Sequence, residues 1–142
     1  MRWVCGLMFS CDKQYVALIT KKSKPGEEWQ NNLINGIGGK VNESETYAKA
    51  MVREFEEEAG KKTEINDWQH FARLVVPRGA VIFYRSFDKD MLRGVRTMEE
   101  EMIGVYPVAD LHKLSMVPNL HWLIPMALIP SIQLATVREE QE

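Results

Sequence analysis

The chain has 142 residues, one domain's worth, with 45% apolar and 27% charged residues and a formal net charge of −2. That composition excludes a disordered or fibrous chain and carries no footprint for binding a nucleic-acid polymer. A compact anion can still sit in a local basic pocket, which net charge does not report.

The N-terminal apolar run is short and broken by Gly6 and Ser10, so no membrane association and no secretory signal are expected. Cys5 and Cys11 have no metal-type spacing and are expected free and reduced, and the expected compartment is the cytoplasm. Residues 2–9 and 15–21 are rich in Val, Leu, Ile and aromatics and predict a strand pair, split by turn chemistry over 10–14. Residues 22–32 read as a polar loop around Pro25-Gly26, followed by the extended, Gly-rich stretch LINGIGGKVNESE. A helix is predicted over 47–59, with Thr46 as N-cap and Gly60 in the left-handed position that ends it. Further strands are expected at 68–76 and 80–87, joined around Pro77-Arg78-Gly79, and at 102–108. A helical turn at 109–114 and a second helix at 119–129, kinked or shortened by Pro125, complete the list. The charged tail after Thr136 is expected to fray. Strands mixed with two helices, without repeats or a linker, predict a single α+β domain over 1–142.

On the first helix, Ala48, Met51, Val52, Phe55 and Ala59 fall in one stripe about 100° wide and predict the core face. Glu54, Glu57 and Glu58 share another face through i,i+3 and i,i+4 spacing, with Arg53 beside them, and Ala50 is read as the small residue beneath this group. Carboxylates so spaced repel by a few tenths of a kcal/mol per pair. A hard divalent cation reverses that sign. The cluster alone also fits a solvated acidic face.

The full spacing runs Gly39, five residues, Glu45, seven residues, then Arg53-Glu54-Phe55-Glu56-Glu57-Glu58-Ala59-Gly60. It resembles the Nudix box, G-x5-E-x7-R-E-U-x-E-E-x-G-U with U a bulky apolar residue, and departs from it only at Lys61. The resemblance implies a Nudix-type α/β/α sandwich with a mixed sheet and a catalytic loop-helix-loop. It implies metal ligation by Glu54, Glu57, Glu58 and the Gly38 carbonyl, with Arg53 orienting a glutamate and Glu45 supporting the loop. The family often adds an acid from a later loop; Glu99, Glu100 and Glu101 lie in one, and counting back from the following strand favours Glu100. The implied reaction is hydrolysis assisted by magnesium, with manganese as a substitute. Glu54, Arg53 and Glu57 are the implied catalytic residues, with Glu54 the first choice of base, although clustered glutamates titrate as a set.

Outside the box, INGIGGKV resembles the WNGFGGKV of oxidised-purine nucleoside triphosphatases, and MVPNLHWLIPMAL resembles their MWPDDxxWFPLLL. Lys21, Asn35, Gly39, Lys40 and Asn119 are thereby implied substrate-binding residues. Asn119 stands where that group carries an acid, which leaves the base open. The implied activity is release of a nucleoside monophosphate and pyrophosphate from a small nucleotide, including oxidised purine triphosphates, by a monomer or homodimer. Pro77, sixteen residues past Lys61, keeps an ADP-ribose or other nucleoside diphosphate-linked substrate open, although a hairpin turn also explains it. A non-catalytic nucleotide-binding module is the third reading.

Overall fold

A computed structural model describes residues 1–139. β1 (Arg2–Ser10) is the spine of a mixed eight-stranded sheet. It pairs antiparallel with β2 (Tyr15–Thr20) and β4 (Ile37–Lys40), and parallel with β6 (Gly79–Asp88). β2 continues to β3 (Ile34–Asn35) and β7 (Met102–Pro107); β6 continues through β5 (Gln69–Val76) to β8 (Ala135–Arg138).

Alternation along β1 explains the layers. Val4 and Met8 face one core with α1 (Tyr47–Ala59), where Met51, Phe55 and Trp68 close the packing. Cys5, Leu7 and Phe9 face the other core, with α2 (Leu120–Ala127) contributing Leu120, Leu123 and Ile124. Helices on both faces of the sheet make the α/β/α sandwich. Among the described residues no helix is long and apolar enough to cross a membrane.

Three local expectations change. Ala50 is fully buried with Met51, Phe55 and Ala59, while Ala48 and Val52 are only half-buried. The helix is thus rotated slightly from the stripe that hydrophobicity alone assigns, because the sheet is broad enough to cover Ala50. Secondly, Val137 and Arg138 belong to β8 rather than to a frayed tail, pairing with Leu74 and Val75. Charge dominates that segment's composition, but the half-buried Ala135 and Val137 alternate with exposed Thr136 and Arg138, as an edge strand requires. The remainder of the tail, 140–142, lies outside the described residues. Finally, α2 is shorter than expected, with Pro125 accommodated in its last turn.

Candidate active site

The chain enters α1 through the loop after β4. Thr46 caps the helix by accepting from the Lys49 N–H at 3.2 Å, and Gly60 ends it with φ 73° and its N–H on the Glu56 carbonyl. Arg2 holds the intervening loop, donating to the carbonyls of Asn42, Glu43 and Glu45.

Arg53 organises the carboxylates. It grips Glu45 with two nitrogens, at 2.7 and 2.8 Å, and Nη1 donates to Glu54 at 2.9 Å and to Glu57 at 3.2 Å. The Glu45 bond raises the Arg53 pKa and, in return, holds Glu45 below the usual carboxylate range. Glu54 shares the same guanidinium yet is shifted upward, because its burial outweighs one Arg53 bond. Glu58 has no such partner. Burial and the nearby Glu54 push it up to about 7, and among the described residues its buried Oε2 has no hydrogen-bond partner.

Glycine at 39 leaves the Glu54 carboxylate its place: a Cβ there would lie 2.6 Å from it and push it from its bond to Arg53. The strand backbone therefore packs directly against the glutamates. Among the described residues no three His, Cys, Asp or Glu side chains converge tightly enough to enclose an ion alone. The buried, unpartnered Glu58 oxygen beside Glu54 and a backbone lacking side chains nonetheless fits a cation that draws its remaining ligands from water and substrate oxygens.

Gly38 and Gly39 also form one end of a cleft of about 830 Å3. Its other end is aromatic and amide-rich, where Gln30 meets Asn35 and the Ile34 carbonyl accepts from Val117 just before Asn119, with Trp29 and Trp122 also among the walls. Trp29 is 62% exposed at the rim. Asn119 starts α2 but makes no capping bond with its side chain, so the amide is left for the cleft. Lys21 lines the cleft as well, held by Glu101 at 3.2 Å.

The predicted residues divide accordingly. Lys21, Asn35, Gly38, Gly39 and Asn119 share the cleft, and Glu54, Glu57 and Glu58 join Arg53 beside its glycine end. Lys40 stands apart: its side chain is exposed and off the cleft, and its carbonyl accepts from Arg53 at 3.1 Å. Glu100 is exposed, and the acid facing the site is its neighbour Glu101. Burial would raise Glu101, but the Lys22 N–H at 2.8 Å and the Lys21 and Lys24 ammonium groups hold it low. Strand parity decides between the two: Met102 pairs with Thr20, which brings Glu101 opposite Lys21 and Lys22. Gln30 and Trp29, within the segment read as a polar loop, carried no sequence signal beyond an aromatic in that loop. Lys61, the departure from the box, forms ion pairs with Asp88 at 3.2 Å and Asp90 at 3.7 Å, so charge replaces apolar packing behind the helix.

Comparison with known proteins places this geometry. A family model described as NUDIX domain matches residues 2–124. A comparison with curated proteins finds no match. Among solved structures, the chain is similar to a MutT from work on Aliivibrio salmonicida and Vibrio cholerae, at 20% identity and a TM-score of 0.70, covering 89% of this chain and 94% of that one. It is similar to a mutator MutT protein from Bacillus halodurans at 13% identity and a TM-score of 0.71, covering 96% and 88%. The NUDIX domain of Shewanella oneidensis NrtR, solved with ADP-ribose, aligns at 17% identity and a TM-score of 0.67, covering 89% and 85%. At these identities the structural likenesses speak for the fold.

Proposed function

The chain belongs to the NUDIX domain family, whose members are hydrolases of phosphorus-containing anhydrides that generally use divalent metal ions, and from that premise we propose that it is a magnesium-dependent nucleoside triphosphate pyrophosphohydrolase. The observation that carries this reading is the buried, unpartnered Glu58 oxygen next to Glu54, at the glycine end of a cleft whose other end offers tryptophans and amides. One end suits a metal-bound polyphosphate and the other a nucleobase.

Glu54 and Glu58, with Glu57 and the Gly38 carbonyl, would hold the ion. When bound, magnesium neutralises charge on phosphate oxygens and acidifies a water. The protein's own contribution is placement. Arg53 donates to both Glu54 and Glu57 and supplies a positive charge that no pH near neutrality removes. A glutamate of this set accepts the proton of the attacking water; burial shifts both Glu54 and Glu58 upward, and Glu58, at about 7, is the one matched to that task near neutral pH. Trp29 and Trp122 provide flat surfaces for a base, and Asn35, Gln30 and Asn119 provide its hydrogen bonds. Lys21, already neutralised by Glu101, tethers that loop beside the cleft.

A second reading, hydrolysis of ADP-ribose or another nucleoside diphosphate-linked substrate, draws support from the cleft's extension to apolar walls at Leu74, Val76 and Phe83, which offers room beyond one nucleoside. A hydrolysis panel of unmodified and oxidised nucleoside triphosphates, ADP-ribose and dinucleotides, each with magnesium and with manganese, tests the proposal. Monophosphate and pyrophosphate from triphosphates are expected. AMP from ADP-ribose with triphosphates untouched would establish the second reading instead.

A further inference from the structure

Gln30 is nine-tenths buried, yet it lines the cleft. It closes the short 3-10 turn Glu28–Gln30, which places it beside the exposed Trp29. Its Oε1 accepts from Asn35 Nδ2 at 3.3 Å. Among the described residues no group accepts from its Nε2.

The orientation of this amide is not arbitrary. Asn35 Oδ1 accepts the backbone N–H of Gly36 at 2.8 Å, and the Cys5 thiol approaches the same oxygen at 4.0 Å. A backbone N–H cannot turn into an acceptor, so Asn35 must keep its oxygen on Gly36 and its NH2 on Gln30. Gln30 must then give its oxygen to Asn35, which leaves its NH2 for the cleft. Polarity thus passes from one backbone donor through two amides to the wall where a base would lie.

Resting on the nucleotide reading above, we propose that Gln30, oriented by Asn35, is a specificity-determining residue that donates to a carbonyl oxygen on the nucleobase edge, so that the site takes oxo-bearing bases over their amino-bearing counterparts. An amino group at that point sets N–H against N–H and leaves the Gln30 donor unpaired on binding. Such a mismatch weakens binding by roughly tenfold or more.

The relay makes an unusual demand on a variant one residue removed. In Asn35→Asp the new carboxylate accepts from Gly36 and from Gln30 together. Gln30 then turns its NH2 inward and its oxygen to the cleft, and the preference reverses. Gln30→Glu presents an acceptor directly and reverses it too. Gln30→Leu removes the preference without reversing it.

Calorimetric binding of four nucleoside monophosphates tests this without turnover: inosine against adenosine, and uridine against cytidine. Each pair exchanges an oxo for an amino group at one ring carbon, the adjacent ring nitrogen carrying a proton only in the oxo member, and phosphate charge is constant across both pairs. The wild-type protein should favour the oxo member of at least one pair by about tenfold, Gln30→Leu should level that ratio, and Asn35→Asp and Gln30→Glu should each invert it. Equal or better binding of the amino members by the wild-type protein, or an unchanged ratio in Gln30→Leu, overturns the assignment while leaving the nucleotide reading intact. No binding of any of the four overturns the nucleotide reading, and this inference with it.

Discussion

The two ends of the cleft are built in opposite ways. The glutamate end comes almost entirely from one helix and the strand before it, so its residues are spaced by helical geometry and held by one arginine. The base end collects Trp29 and Gln30 from a 3-10 turn, Asn35 from β3, and Asn119 and Trp122 from the start of α2. A site on one rigid element tolerates divergence in the rest of the chain, because its geometry travels with the helix. A site assembled from separate loops changes whenever any loop changes. The contrast explains how one reaction class can be kept on a fold while its substrates vary.

That contrast makes separable predictions. The largest effect belongs to the glutamate end: Glu58→Gln or Glu54→Gln should lower kcat by about a hundredfold to a thousandfold, with nucleotide KM little changed in steady-state assays. Arg53→Ala should cost about tenfold to a hundredfold in activity, since it frees three carboxylates at once, and Arg53→Lys should recover little because an ammonium lacks the fork. At the base end, Trp29→Ala should raise KM by about tenfold while kcat holds, the signature of lost stacking. Equal losses in kcat and KM for both ends would erase the distinction.

The smallest effect is in pH. Burial raises Glu58 to about 7, so the carboxyl gains a proton as pH falls through that value. Cation binding needs the carboxylate, so divalent affinity should weaken about fourfold between pH 8 and 6.5, followed by calorimetry. Stability without metal runs the other way. The unfolded chain ionises near 4.5, so from 4.5 to 7 the folded state holds the extra proton. Stability should therefore rise as pH falls through 7 and the Glu58 contribution should level off below 4.5, measured by denaturant unfolding in a chelator.

The same contrast separates what is legible in the sequence from what is not. Helix limits, the Thr46 cap, the Gly60 stop and the Glu54-Glu57-Glu58 face are local, and periodicity and capping chemistry report them. Glu101 is not local. Choosing it over Glu100 depends on the β2–β7 register, which a stretch of three glutamates conceals. Gln30 sits in a polar segment whose composition says loop, and only its packing against Asn35 shows that the side chain is buried. The Gly-Gly-Lys run points Lys40 at the substrate, but the pleat of β4 turns its side chain out of the cleft and leaves its carbonyl to Arg53. Strand β8 was hidden by its charged surroundings, since four residues of alternation are a weak signal beside a run of acids.

On this reading the helix glutamates form a divalent-cation site that works independently of the base end. Titrating manganese into the wild-type protein and into Glu58→Gln at pH 8, without nucleotide, tests it most directly. Saturable binding by the wild-type protein and at least tenfold weaker binding by the variant are expected. Equal affinity in the two proteins would contradict it.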